Sequence, residues 1–143
     1  MMTSTIKPEK SQVSELFSRA FALYKSGDWV HAMEYFRMVT FMAPLEGRFW
    51  ISLGHATKKT GDLEGAIEAY KTALLLLSTQ EQHQEPYQEQ HSDSDLWLSL
   101  AECLIDQGQK KEGLLALNEA IALAPPHEKD KLELIQTQWS NKG

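Results

Sequence analysis

Histidine and carboxylate side chains are concentrated in one short stretch, residues 79–94, which reads TQEQHQEPYQEQHSDS. Imidazole and carboxylate groups are the usual nitrogen and oxygen ligands of zinc. His83 and His91 stand eight residues apart with Pro86 between them, a spacing that matches no common ligand motif. The stretch has too little apolar surface to fold alone. It is predicted to be a polar insert over 79–93 without a metal site, either a mobile loop or a fraying extension of the preceding helix.

The other side chains that could do chemistry are scattered. Cys103 is the single cysteine, so an intramolecular disulfide is impossible, which fits a reducing compartment. It stands in an apolar run, LAECLI, and is expected to be a small buried hydrophobe rather than a reactive thiol. His31, His55 and His127 lie far apart in sequence. No phosphate-binding loop, dinucleotide turn or nucleophile elbow is present, so we expect neither an enzyme nor a cofactor.

Composition narrows the classes of partner. The 143 residues suit a single domain with one modest core. The formal net charge of −6 argues against nucleic acid and against an anionic membrane surface. The longest apolar runs, such as residues 73–77, are far below the roughly 20 residues of a membrane span, so stable membrane insertion is not expected. The N-terminus lacks the apolar core of a secretory signal, which predicts a cytoplasmic location.

An internal repeat becomes visible when Gly27, Gly61 and Gly108 are aligned. The first step is 34 residues, the period of the tetratricopeptide repeat (TPR), and the second is 47, which implies 13 inserted residues. Small residues recur seven before and five after each glycine, and large apolar residues recur eleven before and nine after. The small set is Ala20, Gly54, Ala101, Ala32, Ala66 and Gly113, and the large set is Leu16, Trp50, Trp97, Phe36, Tyr70 and Leu117.

The repeat predicts an all-α fold, a TPR superhelix of three helix-turn-helix repeats with a C-terminal capping helix. Small residues are expected where the two helices of a repeat cross, because larger ones would push the helices apart. The turn glycines suit the left-handed conformation that ends a helix, and Asp28 and Asp62 can cap the helix that follows. The predicted organisation is a flexible tail (1–11) and one domain (12–140), with repeats at about 13–46, 47–78 and 94–127 and a cap at about 127–139.

Stacked TPR hairpins form a groove lined mainly by the first helix of each repeat. Phe17, Phe21 and Tyr24 recur at i, i+4 and i+7 and form one aromatic stripe. Exposed aromatic surface is costly unless a partner covers it; the alternatives are packing on the N-terminal tail or self-association. The middle of the groove is basic and the far end acidic. Counting along the helices assigns to it Phe17, Phe21, Tyr24, Lys25, Arg48, Ile51, His55, Lys58, Lys59, Asp95, Leu98, Glu102, Ile105 and Asp106.

Three stretches resemble the class II chaperones of bacterial type III secretion, which hold hydrophobic translocator proteins before export. They are LFSRAFALYKSGDWVHAMEYF (16–36), RFWISLGHATKKTGDLEGAIEAY (48–70) and AECLIDQG (101–108), and the resemblance covers about residues 13–124. It implies a cytoplasmic, ATP-independent chaperone whose groove binds an extended client segment with small anchors such as Pro and Leu. Phe17, Phe21, Tyr24 and Trp29 would line the first pockets, and Ile51, His55 and Lys58 would continue the groove.

One alternative function and one additional partner remain open beside the chaperone hypothesis. One is a generic TPR adaptor that joins the components of an assembly. The other concerns partners: besides a translocator-like client, the resemblance leaves room for a homodimer.

Overall fold

Seven α-helices carry all the regular structure of the residues that the computed structural model describes, 10–79 and 93–142. The predicted all-α fold, three helix pairs and a seventh helix, is confirmed. In chain order the helices are α1 (Lys10–Lys25), α2 (Trp29–Met42), α3 (Gly47–Lys59), α4 (Leu63–Thr79), α5 (Asp93–Asp106), α6 (Lys110–Leu123) and α7 (Pro126–Asn141).

Helix α1 begins inside the predicted tail, and α4 and α5 extend one residue each into the predicted insert. The hydroxyls of Ser78 and Thr79 donate to the carbonyls of Leu75 and Leu76, which closes the last turn of α4. Asp93 lies in the first turn of α5, where a carboxylate interacts favourably with the helix dipole. The rest of the insert, with both of its histidines, and most of the tail lie outside the described residues.

The turn of each repeat is built as its sequence predicts. Gly27, Gly61 and Gly108 have φ of +92°, +95° and +89°, the left-handed region that residues with a Cβ rarely adopt. The carboxylate of Asp28 accepts a hydrogen bond from the His31 amide, which caps α2. Asp62 accepts one from the backbone amide three residues further on, at 2.9 Å. Each glycine therefore ends the first helix, and in two repeats the aspartate starts the second.

The small residues lie at the helix crossings. Ala20, Ala32, Ala66 and Ala101 are fully buried, and Gly54 lies against a ring of the paired helix. A Cβ added to Gly54 would lie 2.6 Å from a ring carbon of Tyr70, closer than real contacts allow. The helices α3 and α4 can therefore approach this closely only because that position has no side chain.

The buried side chains form two clusters joined by one residue. The first lies around Phe36 between α1, α2 and α3 and includes Ala69 of α4, and the second lies around Leu117 and Tyr70 and extends to α7. Half-buried Trp50 packs against both clusters, and its indole Nε1 donates to the Pro44 carbonyl at 2.8 Å. The tryptophan of the repeat signature thus fixes the first repeat to the second.

Helix α7 covers the end of the third repeat. Leu132 is 3% exposed, and Ile135 and Trp139 pack beside it on the second cluster. The ammonium of Lys110 donates to two carbonyls at the end of α7, and that of Lys129 donates to a carbonyl near the end of α6. An apolar stripe and these helix-end bonds hold the cap in place.

We expect Gly54→Ala to destabilise the fold by about 1–3 kcal/mol, because the added methyl group overpacks the crossing with Tyr70. Gly47→Ala is the matched control on the same helix. Its Cβ would meet the tip of Leu77 at 3.1 Å, a flexible neighbour that can move. Urea unfolding followed by helical circular dichroism measures both; equal losses would mean that the Tyr70 contact is not limiting.

Candidate functional site

The aromatic stripe of α1 continues into the core at one end and reaches the surface at the other. The rings of Phe17 and Phe21 are stacked, with centroids 6.3 Å apart and planes 9° apart. Phe17 is half-buried, whereas Phe21 is 46% exposed. An exposed phenylalanine beside a buried one presents apolar surface that a ligand can extend.

Phe17 and Arg48 fix α1 onto α3. The Phe17 ring lies 5.0 Å from the ring of Phe49 and 5.6 Å from that of Phe36. The Arg48 guanidinium lies 4.9 Å from the Phe17 ring and 4.7 Å from the Phe49 ring, and it forms an ion pair with Glu46 at 3.7 Å. Both residues were predicted to bind peptide. The contacts described here are with the protein itself, and they hold α1 against α3.

A small apolar pocket lies where α1 meets α3. It is lined by Phe21, Tyr24, Phe36, Ser52 and His55 and encloses about 30 Å³. That volume suits a single methyl-sized group or one water molecule. Phe36 is 1% exposed, and burial raises the pKa of the Tyr24 phenol, which therefore stays neutral. The pocket offers a shallow seat for a small apolar anchor with a few polar atoms at its rim.

The pocket residue His55 is held in place by a hydrogen bond with the buried Tyr70 on α4. His55 Nδ1 lies 2.6 Å from the Tyr70 hydroxyl, and the two rings meet edge to face at 5.4 Å. Tyr70 is fully buried, and burial raises its pKa well above the usual range, so the phenol keeps its proton. Tyr70 also belongs to the second core cluster, which includes residues of α5 and α6. This hydrogen bond therefore ties the pocket to the core of the second and third repeats.

An ion pair joins the middle of the groove to its far end. Lys58 Nζ lies 3.0 Å from a carboxylate oxygen of Glu102, which links α3 to α5. Burial lowers the pKa of Lys58, but the hydrogen bond and charge of Glu102 outweigh it and the net pKa is raised. The side chains of Lys58 and Glu102 are 32% and 41% exposed, so the pair contributes modestly to stability.

The remaining predicted site residues divide between surface and core. Trp29 is 37% exposed, and the ammonium of Lys59 lies 5.2 Å from its ring centroid. Leu98 and Ile105 are half-buried on α5. Ile51 was predicted to line the groove, and the structure corrects this: it is 2% exposed and belongs to the second core cluster. Its side chain packs against the next repeat because the helices of neighbouring repeats are in contact there.

Sequence counting missed three residues of the site. Phe36 was assigned only to the helix crossing, yet its ring also forms part of the pocket wall. Ser52 lies three positions before His55 on the same helix face, a spacing that could have revealed it. The support of Tyr70 depends on a contact between side chains 15 residues apart, which no helical periodicity indicates.

The other chemically active groups stand apart from this pocket. Cys103 is fully buried, and burial raises the pKa of its thiol. Both agree with the prediction that this residue is a small buried hydrophobe. His31 is exposed and binds the Asp28 carboxylate at 2.9 Å. A groove of about 470 Å³ lies between α4 and α5, has four leucines and Trp97 in its lining, and shares no residue with the aromatic pocket. No helix among the described residues is long and apolar enough to cross a membrane.

Comparison with known proteins places the repeats in a wider group. Residues 47–76 and 94–127 match the model of the tetratricopeptide repeat. The fold is a TPR superhelix. The first helix pair lies outside both matched stretches, and it has Leu16 where the other pairs have Trp50 and Trp97. No curated protein sequence matches the chain.

Several solved structures share this TPR fold over almost the whole chain. The translocator chaperone SycD of Yersinia enterocolitica is 20% identical, with a TM-score of 0.76 over 93% of this chain and 86% of that one. SycD in complex with a peptide of the translocator YopD is 22% identical, with 0.72 over 92% and 91%. PcrH of Pseudomonas aeruginosa, in complex with the chaperone binding region of PopD, is 18% identical, with 0.77 over 96% and 97%.

We expect Tyr70→Phe to cost about 1–2 kcal/mol of stability, because it removes a buried hydroxyl that bonds His55 across the core. Tyr35→Phe, at a half-buried position on α2, is the control and should cost less. Thermal unfolding compares the two variants. A Tyr70→Phe protein as stable as the parent would show that the hydrogen bond does not hold the pocket wall.

Proposed function

We propose that this protein is a class II type III secretion chaperone of the bacterial cytoplasm. It binds an extended, partly apolar segment of a translocator or another secreted client along the face formed by α1, α3 and α5, here called the groove face. The observation that carries the proposal is the pocket between α1 and α3, where Phe21, Tyr24 and Phe36 surround a space sized for one small apolar group. The function needs neither catalysis nor a cofactor.

The physical logic concerns solubility. A protein destined to insert into a membrane carries apolar segments that aggregate in water, so a partner must cover them before export. A shallow pocket can bind one apolar side chain of an unfolded client. Backbone groups of the extended segment can form hydrogen bonds with the polar atoms at the rim of the pocket. The TPR-fold relatives include chaperones described in complex with a translocator peptide or a chaperone binding region, which favours this use of the groove face.

The residues proposed to contact the client are those of the groove face that retain accessible surface. Phe21, Tyr24 and His55 provide the anchor site, and Lys58 and Glu102 lie further along. Trp29, the first residue of α2, is included because its exposed ring lies under Lys59 at the end of α3. Phe17 and Arg48 act mainly by positioning α1, and Leu98 and Ile105 contribute apolar edges on α5. Ile51 is left out because it is buried.

A generic TPR adaptor is the alternative. It would use the same groove face to bind a component of an assembly that is not secreted. The two functions differ in one observable result: a chaperone is required for the solubility of a secreted translocator, whereas an adaptor is not.

We expect Phe21→Ala combined with Tyr24→Ala to abolish co-purification of a co-expressed translocator client from the same genome. Helical circular dichroism should stay close to that of the parent, since both side chains lie partly at the surface. Leu134→Ala, at an exposed site on α7, is the control and should leave co-purification intact. Retention of the client by the double variant would contradict a client site at this pocket.

A homodimer is the second partner proposed for this chain. Met38, Phe41 and Leu45 expose 45%, 87% and 67% of their surface at and just beyond the end of α2. Met38 also lines a neighbouring groove of about 440 Å³, together with Leu16 and Met42. Apolar surface of this extent is unfavourable in water unless a second molecule covers it. A symmetric dimer would bury the same patch on both copies.

Phe41→Asp is expected to convert such a dimer to a monomer, because it places a charge at the most exposed apolar position of the patch. Leu115→Asp on α6, also at an exposed leucine, is the matched control. Sedimentation velocity over a range of protein concentrations gives the oligomeric state. A parent protein that stays monomeric at high concentration rules out this interface.

A further inference from the structure

Charge changes sign along the groove face from one repeat to the next. The residues two positions before the turn glycines are Lys25, Lys59 and Asp106, which are equivalent in the three repeats. Six positions before those glycines, the equivalent residues are Phe21, His55 and Glu102. At the position two before the glycine, the first two repeats therefore carry a cation and the third an anion; at the position six before it, only the third repeat has a carboxylate.

The contacts of these side chains show which charges a client can meet. Lys25 Nζ lies 5.2 Å from the ring centroid of Phe21, at the anchor pocket, and Lys59 Nζ lies at the same distance from Trp29. Both lysines are exposed, as is Asp106. Lys58 and Glu102 pair with each other at 3.0 Å between these groups and largely cancel. Two cations thus flank the exposed aromatic rings, and one anion stands beyond the ion pair.

Helix stability explains the lysines but not the aspartate. The C-terminal end of a helix dipole is negative, so it favours cations in the last turn and disfavours anions. The last turns of α1 and α3 carry Lys25, Lys58 and Lys59, whereas the last turn of α5 ends in Asp106 and holds no basic residue. An anion at this position is unfavourable for α5 itself. The Asp106 carboxylate favours the charged form of Lys58 on α3, and it remains exposed on the groove face, where a client charge can also meet it.

We propose that the groove face selects a client segment with a defined charge pattern: an acidic residue next to the apolar anchor and a basic residue farther along. This rests on the proposed function. Neighbouring packed helices lie about 8–10 Å apart, so the two steps from α1 to α5 cover roughly 16–20 Å. An extended chain rises about 3.3 Å per residue, which separates the two client charges by about five or six residues.

Two fluorescently labelled synthetic peptides test this pattern. Both contain a proline and leucine anchor; one has a Glu pair beside the anchor and a Lys pair six residues away, and the other has the charges exchanged. Each is made in both chain directions, because an extended segment can bind either way. Fluorescence anisotropy at low salt should show the first peptide binding roughly 5-fold or more tightly, with the difference shrinking in high salt.

Charge reversal on the protein completes the test. Lys25→Glu with Lys59→Glu and Asp106→Lys should invert the preference, so that the exchanged peptide binds more tightly. Lys111→Glu with Lys131→Glu and Asp130→Lys, at exposed sites on α6 and α7, makes the same three kinds of charge change as the groove variant and should leave the preference unchanged. Inversion by this control would overturn the proposal, because bulk charge would then explain the effect.

The outcomes separate this inference from the function on which it rests. If both peptides bind the parent equally and Phe21→Ala with Tyr24→Ala abolishes binding, the client groove stands and the charge pattern is wrong. If neither peptide binds the parent more tightly than it binds that aromatic double variant, the proposed groove itself fails, and the charge pattern fails with it.

Discussion

Close approach of two helices at Gly54 is the constraint on which the rest of this structure depends. The Tyr70 ring occupies the space that a side chain at residue 54 would need, and the Tyr70 hydroxyl continues to His55 at 2.6 Å. One contact between α3 and α4 therefore sets the crossing of the second repeat and the back wall of the anchor pocket. Since interiors are packed as densely as crystals, a shift of this ring would move the histidine with it.

The pocket also depends on residues that were expected to touch the client. Phe17 and Arg48 form a stack with Phe49 that fixes α1 against α3, and Phe21 extends this stack to the surface. Apolar groups that are half in the core and half in the groove have two effects. They hold the first repeat in place, and they orient the exposed ring in advance, which would reduce the entropy cost of binding the proposed client.

The repeat pattern predicted most of the fold because each of its positions has a local physical reason. The left-handed glycines, the capping aspartates and the small residues at the crossings act within a few residues or one helix pair, so spacing along the chain reveals them. The site was less predictable. Helical periodicity indicates the face of α3 that holds His55, but Ile51 on that face is buried by the next repeat, and only contacts between repeats decide such a case.

Contacts within one repeat and features spread over several repeats also contribute differently to what the groove face could recognise. Apolar anchoring of a client would require a pocket, and the aromatic pocket lies at the junction of α1 and α3, where aromatic residues stand in place of the charged ones of α5. A methyl-sized seat gives little affinity and little discrimination, since one buried methylene contributes only about 0.8 kcal/mol. Further recognition must come from polar and charged atoms spread over all three repeats. A superhelix serves this need, because it places equivalent side chains at regular intervals beside an extended chain.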